Sequence, residues 1–346
     1  MKLMAAALHK YDYLYSDSLY SFRQNRKNAD LFRKIAKLPD REKLYVLKTD
    51  ISSYGSNVDP DILLKDLEPI FKKEDEAIYR FFAWILSRNM YYRNGKLIKE
   101  NTGAISGIPL TSFWENIYLL SADEKMREKS VLYCRYCDDI AVFVRTKEEA
   151  QECKKILKEM LAEKGLKFNE EKTVIYEPGD DVELLGIKVT GEHFDISEYS
   201  LNRIKFKMRH KRDKLLRRIQ YKKMSKEAAM NSMIWYYNRY FFGIKRFDKE
   251  LNWVAWSFPI LTREKSLKEI DAYVQDCIRI VGSSKKSDSK YRVTYKNMKA
   301  HGYKCLVHAY YHGYDVMEDQ DEIINRDTET SRGKCAGSSG DDAVIL

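Results

Sequence analysis

The stretch that most limits what this chain can become is Val131-Leu-Tyr-Cys-Arg-Tyr-Cys-Asp-Asp-Ile-Ala-Val-Phe-Val144. Apolar and aromatic residues flank its centre as two short β-type runs, and its only acidic residues, Asp138 and Asp139, fall where the runs meet. The pattern predicts a hairpin with two carboxylates at its tip. Adjacent ionised Asp side chains repel, so a fold that sets them side by side usually has a cation to hold between them. A plain polar turn is the bland alternative, and a second segment weighs against it: Val46-Leu47-Lys48-Thr49-Asp50-Ile51 is another β-type run ending in an Asp. One Asp on a strand and an Asp pair on a neighbouring hairpin form the ligand set of a two-metal phosphoryl-transfer site.

Further segments stand in a fixed order around these. Asp50-Ile-Ser-Ser-Tyr54 is followed by Val58-Asp59, and Gly107-Ile-Pro109 by Asn116-Ile-Tyr-Leu119 and Asp123. Beyond Tyr136-Cys137-Asp138-Asp139 come Gly165-Leu-Lys-Phe-Asn169 with Lys172-Thr173, then Leu185-Gly186. In this order and spacing the motifs resemble the bacterial reverse transcriptases, which include group II intron, retron and defence-associated (abortive-infection type) enzymes. The resemblance implies an RNA-directed DNA polymerase that joins a primer 3′ hydroxyl to the α-phosphate of a dNTP. It implies two Mg²⁺ ions, with Mn²⁺ as a substitute, Asp50 and Asp138 as bridging ligands, Asp139 as a weaker one, and the Ile51 carbonyl as an extra oxygen. Lys172 matches the position thought to protonate departing pyrophosphate, although a lone lysine is more often a surface charge. Leu185 and Gly186 match the primer grip.

Departures from the family pattern lie at the nucleotide site. Gly107 and Pro109 are expected to form the floor under the templating pair, but Ser106 stands where the family commonly has Gln, which puts template dependence in doubt. Gly55 stands where relatives place the Phe or Tyr that blocks a ribose 2′ hydroxyl. Sugar discrimination is therefore expected to be relaxed unless Tyr54 swings into the gap. The segment before Asp50 is shorter than the usual fingers, so either Arg23, Arg26 and Lys27 grip the triphosphate, or a partner chain or second copy supplies that grip, or the fingers are minimal.

The alternation of strands and helices up to Val189 predicts an α+β right-hand polymerase palm with a βαββαβ-like core. Asp59 to Met90 reads as two helices, with Ile78, Phe81, Phe82, Trp84 and Ile85 expected in the core. Tyr91 to Ile98 reads as a hairpin turning at Asn94-Gly95, Ser112 to Arg127 as one helix buried on one face, and Glu148 to Lys164 as an amphipathic helix. The segments are then 1–49 short fingers, 50–190 palm, 191–282 helical thumb, 283–317 a basic module that packs on the thumb or touches RNA, and 318–346 an acidic tail expected to be disordered.

The chain of 346 residues carries a net +10, and its tail from Glu318 holds eight Asp/Glu against three Lys/Arg, so the remainder carries +15. That excess calls for a polyanionic partner. It concentrates between Arg203 and Lys226, with twelve Lys/Arg against one Asp. Arg203, Lys205, Lys207, Arg209, Lys211 and Arg212 are the candidate phosphate contacts along a template–primer duplex, a solvated charged helix being the alternative. The scattered Cys residues, Cys134 and Cys137 among them, show no zinc or disulfide spacing and read as packing thiols in a reducing compartment. With no signal peptide or long apolar run, a cytoplasmic protein is expected. The expected partners are an RNA template, with a dedicated noncoding RNA as one candidate, a DNA or protein primer, and dNTPs, in a bacterial anti-phage setting. The competing readings are a retron enzyme, template-independent or protein-primed addition, and a non-catalytic RNA-binding subunit, against which three retained carboxylates count.

Overall fold

The computed structural model describes residues 2–93, 96–99, 102–104, 108–191, 193–243, 252–283 and 293–315. The chain divides into two compact units, Met1–Glu198 with Ile260–Arg263, and Tyr199–Pro259 with Glu264–Leu346. The Asn94-Gly95 turn, Ser106, Gly107, the linker beyond Ser283 and the acidic tail lie outside the described residues.

In chain order the first unit holds α1 (Lys2–Leu8), α2 (Asn28–Ala36), β1 (Tyr45–Asp50), the short α3 (Tyr54–Asn57), α4 (Pro60–Glu74) and α5 (Glu76–Arg88). The hairpin strands β2 (Met90–Arg93) and β3 (Lys96–Lys99) follow, then α6 (Thr111–Tyr118) and α7 (Leu120–Lys129). Next come β4 (Leu132–Tyr136), β5 (Asp139–Val144), α8 (Lys147–Glu163), β6 (Val174–Tyr176), β7 (Val182–Leu184), β8 (Ile187–Thr190) and β9 (His193–Ile196).

The central sheet runs β4-β5-β1-β6 with every neighbour antiparallel. This is the strand order of a βαββαβ unit, as the alternation of elements predicted. Ile140 to Val144 are all buried, which is why β5 reads as a continuous apolar run instead of an alternating one.

Local chemistry fixes the helix starts. Asp59 Oδ1 accepts from the Asp61 and Ile62 amides at 2.8 and 3.1 Å, with Pro60 at the first helical position of α4. Thr146 and Glu149 close a capping box on α8. Phe71, Phe82, Phe113 and Trp114 meet edge to face or tilted at centroid distances of 5.5 to 6.2 Å, joining α4, α5 and α6 into one core. Trp84, expected in that core, is 54% exposed.

The single helix expected over Ser112 to Arg127 is two, broken at Leu119. Almost every side chain of α6 is buried, whereas α7 buries only Ala122, Asp123 and Met126. Burial narrows from nearly all of α6 to one side of α7 while the apolar spacing stays helical, so the sequence pattern alone does not reveal the break at Leu119.

The second unit is helical: α9 (Glu198–Lys222, from Tyr199 on), α10 (Lys226–Phe242), α11 (Trp253–Ser257), α12 (Lys265–Ser283), α13 (Tyr295–Ala300) and α14 (Leu306–His312). Lys223, with φ of 53°, ends α9, and Ser225 caps α10 through the Ala228 amide. The buried Asp271 carboxylate on α12 gathers this unit, accepting from Tyr237 Oη at 2.9 Å, Tyr303 Oη at 2.7 Å and the Leu306 and Val307 amides at 3.1 and 3.0 Å. The basic Tyr/His-rich module after residue 292 is thus packed into the helical unit. Among the described residues no helix is long and apolar enough to cross a membrane.

Candidate active site

Strand register brings the distant acidic residues together. Asp50 ends β1 directly opposite Asp139 at the start of β5, and the Ile51 amide donates to the Asp138 carbonyl at 3.2 Å. The segment after the hairpin closes the other side: the Asn169 amide donates to the Asp50 carbonyl at 2.7 Å, and Lys172 Nζ lies 3.0 Å from Asp50 Oδ2. Asp50, Asp138, Asp139 and Lys172 therefore gather at one end of the sheet, where its two central strands β1 and β5 terminate, and Ile51 there is buried.

The electrostatics are those of carboxylates crowded beside one another. Burial, and secondarily the charge of Asp50, raises Asp138 above the usual carboxylate range. Asp139 is pushed up to about 6, chiefly by burial, with Lys48 opposing and Asp138 and Asp50 adding to the rise. Lys172 is raised by its hydrogen bond to Asp50, so it holds its proton firmly.

A group whose folded pKa exceeds its unfolded value binds more protons folded than unfolded, so stability falls as pH rises through that interval. For Asp139 the interval runs from the model-peptide value near 3.8 to about 6. Asp139→Asn is accordingly expected to raise the melting temperature by about 3 °C or more at pH 8 in chelator and by about a third as much at pH 4.5, where only part of the interval has been crossed. Melting curves of both proteins at the two pH values check this, and an equal shift at both contradicts it.

Among the described residues no three His, Cys, Asp or Glu side chains form a ready-made metal cage. Magnesium does not need one, since it is commonly held by one or two carboxylates, water and substrate phosphate oxygens. Hard oxygen donors that repel one another across Asp50, Asp138 and Asp139 fit that mode of binding.

The hairpin tip is pinned from behind, and Ser21, Glu115, Tyr133 and Arg135 in that support are residues the sequence did not single out. Cys137 has φ of 59°, the left-handed region that non-glycine residues rarely occupy. Its amide donates to Ser21 Oγ at 3.0 Å, its carbonyl accepts from Arg135 Nη1 at 3.2 Å, and its thiol lies 3.6 Å from Glu115 Oε2. Arg135 and Asp123 are fully buried and paired in a fork, Nε to Oδ1 at 2.7 Å and Nη2 to Oδ2 at 2.6 Å, with Tyr133 Oη donating to Oδ1 at 2.9 Å. Burial pushes the Glu115 carboxyl up to about 7, with its Cys137 contact opposing. One signal could have found Arg135: a charged residue inside an otherwise apolar strand needs a buried partner.

Tyr54 is buried and donates to the Glu115 carbonyl, so its ring does not stand over the neighbouring Gly55. Gly103, with φ of 99°, lies so near the Ser56 carbonyl that a Cβ would be 3.3 Å from it, and Ala104 N donates to the Gly55 carbonyl at 2.9 Å. Pro109 is exposed at the described end of its motif. The Arg23 guanidinium donates to the carbonyls of Ser16, Leu19 and Asp12 at 2.9, 3.3 and 3.1 Å. Arg26 pairs with Asp17. Both arginines are thus engaged in holding their own loop.

Leu185 and Gly186, both at positive φ (49° and 74°), form the two-residue turn between β7 and β8. In the second unit Arg203, Lys207 and Arg209 are exposed on α9. Lys205 pairs with Glu269, Lys211 lies over the Tyr236 ring at 5.1 Å, and Arg212 pairs with Asp213.

Comparison with known proteins adds the following. The sequence model of the family described as reverse transcriptase (RNA-dependent DNA polymerase) matches residues 1–189. Comparison with curated proteins gives no match. Among solved structures, the chain is similar to telomerase from Candida albicans in complex with a TWJ fragment of telomeric RNA, at 14% identity over 94% of this chain and 55% of that one, with a TM-score of 0.44. It is also similar to apo telomerase from Candida tropicalis, at 14% identity over 86% and 52%, with a TM-score of 0.46. The C. tropicalis form truncated from its C-terminal domain gives 19% identity over 56% and 44%, with a TM-score of 0.43. The chain spans about half the length of these structures.

Proposed function

We propose, on the premise that the chain belongs to the reverse transcriptase (RNA-dependent DNA polymerase) family, that it extends a primer 3′ hydroxyl with deoxynucleotides copied from an RNA template. The family is one of nucleotidyltransferases. The observation that carries the reading is the register of β1 against β5, which sets Asp50 beside the Asp138-Asp139 tip.

Two bound Mg²⁺ ions, or Mn²⁺ in their place, would activate the attacking hydroxyl and neutralise charge on the triphosphate. The chain's own part is positioning. Asp50, Asp138 and Asp139 supply the carboxylate oxygens, together with the Ile51 carbonyl. Lys172, kept protonated by Asp50, holds a proton for the departing pyrophosphate. Pro109 shapes the floor under the base pair, and the Leu185-Gly186 turn holds the primer end. The setting we propose, from the motif resemblance, is bacterial anti-phage defence with a noncoding RNA template in the cytoplasm.

Incorporation of labelled dNTPs, with template RNA or Mg²⁺ each withheld in turn, tests the reading. Product that requires both is expected. Product that forms equally well without template moves the chain to untemplated addition, and no product under any condition with Mg²⁺ or Mn²⁺ overturns the reading.

Sugar choice gives a second test. With Tyr54 turned away and no side chain at Gly55, we propose weak discrimination against ribonucleotides. Gly55→Tyr is expected to lower ribonucleotide use relative to deoxyribonucleotide use by about tenfold or more, the scale of a steric clash of 1.4 kcal/mol or above. Strong rejection of ribonucleotides by the unaltered chain removes the idea.

A further inference from the structure

The long helix α9 has two opposite faces. Leu201, Ile204, Met208 and Leu215 are its buried residues. At about 100° per residue, Tyr199, Arg203, Phe206, His210, Arg217 and Tyr221 all fall within about 60° of one another, on the side opposite that buried row. The aromatic members are 64, 58 and 73% exposed at Tyr199, Phe206 and Tyr221.

Single exposed aromatics are ordinary, but here they alternate with cations along one line. Arg203 lies over the Tyr199 ring at 5.7 Å, Arg209 over Phe206 at 5.5 Å, and His210 stacks on Phe206 at 6.4 Å with an interplanar angle of 21°. The stripe spans about 33 Å from Tyr199 to Tyr221 at 1.5 Å per residue. From Arg203 onward it lies within the segment of twelve Lys/Arg against one Asp. Phosphate contacts alone account for the cations and leave the exposed rings unexplained. The faces of paired bases are stacked inside a duplex and unavailable to protein rings, whereas unpaired bases offer theirs.

We propose that the Tyr199–Arg203–Phe206–His210 face of α9 binds single-stranded nucleic acid, stacking unpaired bases on Tyr199 and Phe206 while the flanking cations follow the backbone. The inference rests on the polymerase reading for its biological use, as the surface that takes the unpaired part of a template or product, but its binding chemistry stands apart from the catalytic carboxylates.

The full chain is titrated in EDTA, without nucleotides, against labelled U20, dT20 and a 20-base-pair RNA–DNA duplex by fluorescence anisotropy. The Tyr199→Ala/Phe206→Ala variant is expected to bind the single strands at least tenfold more weakly and the duplex within about twofold of the unaltered chain. The slope of log Kd against log salt should not change, because stacking releases no counterions. Phe206→Tyr should retain single-strand binding, and Phe206→Leu, which keeps apolar area without a ring, should not. U20 and dT20 losses of the same size assign the face to unpaired bases of either sugar, and a loss confined to one assigns it to that strand. Equal losses for single strand and duplex, retention by Phe206→Leu, or no loss at all overturns the proposal. Because the assay contains no divalent ion or dNTP, its failure leaves the polymerase reading standing, and failure of polymerisation leaves this result standing.

Discussion

Replacing Asp50 by Ala is expected to lower nucleotide incorporation on the order of 10³-fold or more while leaving the melting temperature unchanged or higher. The loss follows from phosphoryl-transfer chemistry, in which positioning and charge neutralisation supply most of the rate, and a missing electrostatic group commonly costs two to three orders of magnitude. The stability side follows from the same geometry. Asp50 raises the pKa of both Asp138 and Asp139 through its charge, so its removal relieves repulsion at this end of the sheet. Its lost contacts are Lys172, largely exposed, and a long approach of Asn169 Nδ2 at 3.5 Å. Sites built for function tend to store such unfavourable interactions. Single-turnover incorporation and thermal melting of the same preparations check both halves. A variant that retains activity within tenfold of the unaltered chain refutes the assignment of Asp50, and one that melts well below it refutes the electrostatic account.

The second large effect lies behind the site. Asp123→Ala is expected to cost about 3–5 kcal/mol, because it leaves the Arg135 guanidinium buried without a counter-charge. Against a typical total of about 5–15 kcal/mol this is severe, and a fall in melting temperature of about 10 °C or more should follow. Asp123→Leu combined with Arg135→Met removes both charges and should recover much of the stability. It should not recover activity fully, since the Cys137 carbonyl loses its Arg135 donor and the left-handed Cys137 backbone holds Asp138 less firmly. Arg135→Lys should fail as well, because an ammonium cannot reproduce the two-pronged pairing. Thermal melting and incorporation assays decide it. A double variant no more stable than Asp123→Ala, or fully active, would show that the pair is not acting as this geometry requires.

Particular residues show where sequence reading succeeds and where it stops. The β-type runs ending in Asp50 and centred on Asp138-Asp139 are local patterns, and antiparallel pairing needed only one register to bring them together. The break between α6 and α7 escaped because helical spacing continues through Leu119 while only the extent of burial falls. Arg23 has the composition of a triphosphate ligand, yet its guanidinium is directed to three carbonyls of its own loop. A side chain's partner is a tertiary fact, and composition does not contain it.

From the order of its residues alone this chain declared a mixed antiparallel fold, a trio of acidic groups and a strongly basic segment after them, because period, turn chemistry and charge are written locally. The folded chain alone decided that Glu115, Asp123, Arg135 and Ser21 stand behind the Cys137 turn, and that aromatic rings on α9 line up opposite its buried row. Those arrangements depend on which distant surfaces pack together, and burial then determines the energy of every charge they enclose.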